Sequence, residues 1–267
     1  MKLIENNEHS RYHIDALAKG LEVLSLFTAE RPSISFSEMV NILGWNKSSA
    51  FRVVSTLQEM GYLQQNPSSG YYLPGVKLLQ LGFAAINNLD VRQIAHPFLE
   101  ELSRKLFETV SLAILNGFNA VFIDRIRNQK IVGVLLGIGS SLPAHCTSLG
   151  KVLLADLTVL ELNKLLENEI LTPFTSNTIT KPENLFIELE KIKNQGYAVD
   201  DEELSIGLRA AAVPVRDHSG KAIASINVTG TVNSVTVHRL KVEIIPELVQ
   251  ASKNISAQMG FNPVTRN

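Results

Sequence analysis

The sequence predicts an α+β protein: an N-terminal winged helix-turn-helix, a linker helix, and a larger domain around an antiparallel sheet. Three observations carry that prediction. Up to Pro74, apolar residues recur at helical spacing in three short segments, and a hairpin pattern follows. Beyond Pro74, short β-branched runs mix with helical patterns, without the regular strand–helix alternation of a parallel sheet. The 267 residues are 45% hydrophobic and 19% charged, enough for a sizeable core in one large domain or two modest ones.

In the first segment Ile14, Leu17, Ala18, Leu21, Leu24 and Phe27 share one helical face, and Pro32 ends it. Ser35-Phe36-Ser37-Glu38 is a capping box, in which serine and glutamate satisfy each other's free backbone donors. Phe36, Met39, Val40 and Leu43 give the second helix its apolar face, and Gly44 stops it. Asn46 is a good cap for the third helix, whose Ala50, Val53, Val54, Leu57 and Met60 face inward before Gly61. Residues 62–65, the turn Asn66-Pro67-Ser68-Ser69-Gly70, and residues 71–73 read as strand, turn, strand.

Val76, Leu79, Phe83 and Ile86 predict a linker helix, and Asp90 caps a further one with Ile94, Ala95, Phe98, Leu99, Leu102 and Leu106 inward. The period then changes. Residues 110–115, 121–126 and 131–136 predict three antiparallel strands, separated by Gly117 and Asn128-Gln129-Lys130. Helices follow at 147–156, 159–167 and 182–195, then strands at 210–215 and 223–228 around the turn Asp217-His218-Ser219-Gly220. A long helix over 237–259 closes the chain, and the expected domains are 10–74, 75–90 and 91–262.

A net charge of −1 and a pI near 6.6 exclude a chain-wide basic surface, though not a local one. Cys146 is the only cysteine, so neither an intrachain disulfide nor a zinc site of several cysteines can form. The first residues hold no apolar signal core. The longest apolar run, 131–138, is far below the roughly 18 residues that span a bilayer. We therefore expect a soluble cytoplasmic protein with no membrane contact, no metal and no cofactor.

Helix, glycine turn, helix and hairpin is the layout of a winged helix-turn-helix. On the third helix Asn46, Lys47, Ser48, Ser49, Arg52 and Thr56 lie away from the apolar face. Arg52 is long enough for a guanine edge or a phosphate, and the helix N-terminus favours phosphate. No acidic residue occurs between Met39 and Gln58, so this face is locally positive, although the first 75 residues sum to about −1. The wing offers Gln64, Gln65 and Asn66 but no arginine. An ordinary solvated helix face fits the same spacing.

In the second half, a Pro-bearing loop, residues 139–147, runs into a helix starting with Thr147 and Ser148, where free amides would hold a carboxylate. A plain capped helix start fits as well. The run Asp200-Asp201-Glu202-Glu203 is expected to be a solvated loop, because no His and Asp partners at ligand spacing accompany it. In 225–230, Asn227 and Thr229 share one strand face, either toward solvent or toward a small polar ligand. His145 beside Cys146 suggests a nucleophile, but adjacent residues rarely present both side chains to one reacting atom. Cys146 is expected to be a small buried residue or a pocket wall.

Five stretches in order resemble the IclR family of bacterial transcriptional regulators, from about Arg11 to Met259. They are Ala18-Lys19-Gly20-Leu21-Glu22-Val23-Leu24, Asn46-Lys47-Ser48-Ser49-Ala50-Phe51-Arg52, and Leu142-Pro143-Ala144-His145-Cys146-Thr147-Ser148-Leu149-Gly150-Lys151. Gly196-Tyr197-Ala198-Val199-Asp200-Asp201-Glu202-Glu203 is the fourth, and Gly207-Leu208-Arg209 leading to Ala212-Val213-Pro214-Val215 is the fifth. The resemblance implies a GAF-like effector domain, homodimers often paired into tetramers, operator DNA as partner, and control by a small organic acid. It implies that the effector lies against Ser148 and Leu149, Asp200, Leu208 and Ala210, Asn227 and Thr229, and the wall residues Ile131 and Val134. Glyoxylate- and pyruvate-type members carry cysteine in place of Ala210 and serines in place of Asn227 and Thr229. That departure leaves the effector's identity open, but not its location. The stretches around His145, Ala212 and Asn227 are similar to regulators of aromatic-acid breakdown through the β-ketoadipate route.

The expected function is sequence-specific transcriptional regulation of a catabolic operon through a small carboxylate, without catalysis. Two rivals remain open at this point: a thiol hydrolase using Cys146 and His145, and a DNA-binding module whose second half only oligomerises.

Overall fold

The computed structural model describes residues 13–28, 31–87, 89–127, 136–167 and 169–262. The chain divides into two units, Met1–Ala85 and Ile86–Asn267.

The first unit holds α1 (Asp15–Ser25), α2 (Phe36–Leu43), α3 (Lys47–Glu59), the hairpin strands β1 (Leu63–Gln65) and β2 (Tyr72–Pro74), and the start of α4 (Val76–Asn87). The predicted capping box forms: Ser35 N donates to Glu38 Oε2 at 2.8 Å, and Glu38 N donates to Ser35 Oγ at 3.2 Å. Gly44 ends α2 at φ 66°, a left-handed conformation that a side chain would strain. Asn46 Oδ1 accepts from Ser49 N at 2.8 Å and starts α3. Val23, Ile34, Met39, Val54, Leu63 and Tyr72 form the core. One expectation fails at its rim: Met60 is 49% exposed rather than inward. Leu17 and Leu21 of α1, and Ile14 just before it, are exposed as well. So few short elements enclose only the Val23 side of α1 and the Val54 side of α3.

The second unit begins with α5 (Asp90–Leu106), β3 (Thr109–Asn116) and β4 (Asn119–Ile126). Next come β5 (Ser141–Pro143), a 3-10 turn (Ala144–Cys146), α6 (Ser148–Leu154), α7 (Val159–Leu166) and α8 (Pro182–Gln195). Then come β6 (Ala198–Asp201), β7 (Leu208–Arg216) and β8 (Ala222–Thr231). Among the described residues these strands form one antiparallel sheet in the order β5-β4-β3-β8-β7-β6. On one face α5 and the C-terminal helix bury Leu99, Leu106, Leu112, Val213, Ile226 and Leu248. On the other, α6 and α8 bury Leu149, Leu154, Leu185 and Leu189 against Ala113 and Ala212. Such burial is worth about 1.5–3 kcal/mol per large side chain.

Residues 131–135 of the expected third strand lie outside the described residues, and Leu136 is not in a strand. Two short strands were not expected. β5 pairs with β4, and β6 pairs with β7; each is too short to show a period of its own. The closing helix is not uniform. It runs as α9 (Val237–Arg239), a π-turn (Leu240–Ile244) and α10 (Ile245–Gln258). Pro246 has no N–H to donate to the preceding turn, and the wider turn falls just before it. Gly150 of α6 is required by contact: a Cβ there would lie 2.2 Å from Ala144 Cα.

Candidate functional site

The first unit presents α3 as its polar face. Asn46, Lys47, Ser48, Arg52 and Thr56 are exposed, and Ser49 is half-buried. Ser48 Oγ donates to Asn46 Oδ1 at 2.9 Å, and Thr56 Oγ1 donates to Arg52 O at 2.8 Å, so the small polar groups are held close to the helix. Neither Lys47 nor Arg52 has an ion-pair partner among the described residues. Their charge is therefore free for phosphates or base edges. Phe51 stands between them, 59% exposed and edge-on to Phe36 at 6.1 Å. It was not singled out from the sequence, although its place off the inward face marks it as an apolar group suited to a thymine methyl. Beside this face an apolar hollow of about 740 Å³ is lined by Leu17, Leu21, Leu24, Leu57, Leu78 and Leu81.

In the second unit, strand register gathers polar side chains on the α6 side of the sheet. Directly paired residues of antiparallel strands share a face. One row is Asp200, Ala210, Thr229 and Thr109 across β6, β7, β8 and β3. The next is Ala198, Ala212, Asn227, Ser111 and Arg125, reaching β4. α6 packs on this face, where Ser225 Oγ donates to Leu149 O at 3.0 Å. Ser148, Leu149, Asp200, Ala210 and Asn227 are buried, while Leu208 and Thr229 are half-buried. Ile131 and Val134 lie outside the described residues.

Several polar atoms here are buried without a partner: Ser148 Oγ, Glu203 Oε2, Asn227 Oδ1 and Arg125 Nε. Asn227 Nδ2 donates to Thr229 Oγ1 at 2.8 Å. Either orientation of that amide leaves one of its polar atoms unmatched by Thr229. Thr147 Oγ1 accepts from Gly150 N at 3.2 Å, so the start of α6 satisfies itself as a capped helix.

The acidic run is not a solvated loop, contrary to expectation. Asp200 and Glu203 are buried, whereas Asp201 points out and pairs with Arg209 at 2.7 Å. Glu202 takes φ 60°, which breaks the strand alternation there. Thr175 Oγ1 donates to Glu202 O and Thr178 Oγ1 to Glu203 O, both at 2.6 Å, and hold the turn. Glu203 Oε1 accepts from Lys151 Nζ, which also donates to Val199 O at 2.7 Å. Lys151 is 1% exposed, a buried cation that helical periodicity gave no reason to expect. Burial, followed by repulsion from Glu203, raises the Asp200 carboxyl to about 7 against the opposing Glu203 N–H.

The same environment disposes of a thiol nucleophile. Cys146 is fully buried and donates to Pro143 O at 3.6 Å. Burial, then Asp200 and Glu203, push its thiol up to about 12, so the thiolate is scarce at neutral pH. His145 stacks on Phe118 at 5.9 Å, and its Nε2 lies 3.2 Å from Thr172 O. Burial lowers its affinity for a second proton. Among the described residues no group of three or more His, Cys, Asp or Glu could hold a metal, and no helix is long and apolar enough to cross a membrane.

Comparison with known proteins agrees with this layout. Residues 16–67 match the IclR helix-turn-helix domain, and residues 83–257 match the bacterial transcriptional regulator IclR C-terminal domain. The chain is 35% identical to the HTH-type transcriptional regulator XynR of Escherichia coli K12, over 93% of this chain and 98% of XynR. It is 32% identical to the Pca regulon regulatory protein of Pseudomonas putida, over 91% of this chain and 84% of that protein. Its fold matches the crystal structure of an IclR homologue from Microbacterium hydrocarbonoxydans complexed with 4-hydroxybenzoate, at TM-score 0.77 and 25% identity. That match covers 91% of this chain and 98% of the other. A DNA-binding helix-turn-helix, a sheet domain with buried unsatisfied polar atoms and an unreactive thiol fit a regulator and not a hydrolase; the chain belongs to the IclR family of bacterial transcriptional regulators.

Proposed function

We propose that this regulator controls a catabolic operon in the cytoplasm and is switched by a small carboxylate bound on the α6 face of its second unit. One observation carries the ligand half of this reading. Ser148 Oγ and Asn227 Oδ1 are buried on that face with no protein partner. Leaving such atoms unpaired costs about 1–3 kcal/mol each, a cost that a polar ligand offsets. Leu149, Asp200, Leu208, Ala210 and Thr229 flank them in the fold. Asp200 would repel an anion, so it meets a ligand hydroxyl or holds the Glu203 turn in place. The complex of the Microbacterium homologue with 4-hydroxybenzoate, an aromatic carboxylate, supports the ligand class.

The DNA half rests on Asn46, Lys47, Ser48, Ser49, Arg52 and Thr56 of α3. With only Lys47 and Arg52 as cations, one unit makes few phosphate contacts and binds weakly. Two linked units raise avidity without new side chains. The exposed Leu17, Leu21, Leu79, Leu81 and Phe83 of α1 and α4 are the proposed seam of a dimer, two of which can pair as a tetramer. Such a dimer reads an inverted repeat with half-sites about one helical turn apart. The effector acts by favouring one arrangement of the paired units over another.

The test is a thermal-shift screen of the full-length protein with small aliphatic and aromatic acids. A ligand that binds only the native state raises the melting temperature, by an amount that grows with the logarithm of its concentration above Kd. Acids that raise it in wild type but not in Asn227→Leu support the site. Acids that stabilise both proteins equally place the ligand elsewhere.

A further inference from the structure

Among the described residues, Arg125 is a half-buried cation on the α6 face of the sheet without a counter-ion. It sits on β4 opposite Ser111, which sits opposite Asn227 on β8, so the three side chains line one row. Two strand spacings put the Arg125 and Asn227 backbones about 10 Å apart, within reach of a long guanidinium and a compact ligand. Arg125 makes no ion pair among the described residues. Its Nε is buried without a partner, and its guanidinium lies 5.1 Å from the centre of the Phe122 ring. Asp124, next in sequence, faces the other side and is engaged by His96 Nδ1 at 2.7 Å. Among the described residues the other buried or half-buried cations on this side of the sheet are paired: Lys151 with Glu203, and Arg216 with Asp156 at 2.6 Å. Burial and the neighbouring charge of Arg127 both disfavour the Arg125 cation, and no carboxylate offsets them. A half-buried arginine at the end of a row that also holds the unpartnered Asn227 Oδ1 suits a planar anion, which it can grip through two N–H groups.

We propose that Arg125 is the counter-ion of the effector carboxylate, and that Asn227 receives a polar group elsewhere on the same molecule. This rests on the carboxylate reading of the preceding subsection and narrows it. The ligand is a compact acid with a second hydrogen-bonding group, such as a hydroxyl, and an apolar body lying against Ala212 and Leu149. An uncharged molecule of the same shape leaves the arginine unanswered and is rejected.

The experiment is isothermal titration of full-length protein with 4-hydroxybenzoate, benzoate and pyruvate at up to millimolar concentration, each compared with its primary amide. Binding of at least one acid, with its amide at least about tenfold weaker, is expected. Arg125→Gln should weaken that acid by at least about tenfold, while Arg125→Lys, which keeps the charge but not the fork, falls between. Circular dichroism of each variant without ligand checks its fold. An amide that binds as tightly as its acid overturns the proposal without any variant. So does Arg125→Gln binding the acid like wild type; if Asn227→Leu then still loses it, the effector site stands and only its counter-ion is misassigned. Failure of every acid to bind wild type contradicts both the proposal and the carboxylate reading.

Discussion

Replacing Lys151 by methionine should destabilise the second unit severely while changing its packing little. Methionine nearly matches the lysine stem in volume, so the cavity contribution is small. The electrostatic contribution is not. Lys151 Nζ, in a side chain 1% exposed, donates to Glu203 and to Val199 O. Its removal leaves a buried carboxylate, one of whose oxygens already lacks a partner, and a buried carbonyl. Breaking a buried pair from one side costs about 3–5 kcal/mol. For a unit of this size that corresponds to a melting temperature lower by roughly 6–20 °C. The sign of the pH dependence follows. Burial already raises the Glu203 carboxyl above its ordinary value of 4.5, and losing Lys151 raises it further. A group raised in the folded state stabilises below its unfolded value and loses that contribution as pH rises through the folded one. The penalty of Lys151→Met should therefore grow from mildly acidic to mildly alkaline buffer. Calorimetric melting of wild type, Lys151→Met and Lys151→Met/Glu203→Leu at one protein concentration tests this, with the double variant expected to recover most of the loss. A melting temperature lowered by less than about 2 °C, or a double variant no better than the single one, refutes the reasoning.

Asp200→Asn can keep the acceptor for Glu203 N–H, which lies 2.9 Å from Oδ1, while removing a carboxyl raised from 3.8 to about 7. Wild-type stability should fall as pH rises through that window, by at most about 4 kcal/mol, and Asp200→Asn should flatten the slope; identical melting profiles across pH would refute it. Arg52→Ala should weaken operator binding by about 1–3 kcal/mol at fixed salt with little change in melting temperature, and unchanged affinity would remove Arg52 from the interface. Leu21→Glu should lower the mass seen by light scattering and weaken DNA binding together. Wild type that is monomeric at micromolar concentration yet binds its operator tightly would refute the α1–α4 seam.

What could be read from the sequence was set locally. Ser35 with Glu38, Gly44 and Asn46 act on backbone within four residues of themselves, and the helix-turn-helix follows from them. Asn227 and Thr229 declare a shared strand face by their spacing alone. What could not be read depends on strand order. Arg125 shares a row with Ser111 and Asn227 only because β3 lies between β4 and β8, a neighbourhood spanning about a hundred residues of chain. Glu203 is turned inward because Thr175 and Thr178, from a distant loop, hold a positive φ at Glu202 that glutamate seldom adopts. Lys151 is buried because that turn brings it a carboxylate. β6 has four residues, too few for alternation to separate it from the loop that follows.

The most direct test of the central claim is fluorescence anisotropy of a duplex selected from random DNA by the full-length protein, titrated with whichever acid stabilises it. The account predicts that the acid shifts wild-type DNA affinity severalfold, in either direction. It also predicts that Asn227→Leu retains DNA binding but loses that shift. An acid that binds the protein yet leaves DNA affinity unchanged, or a shift that survives intact in Asn227→Leu, would contradict it.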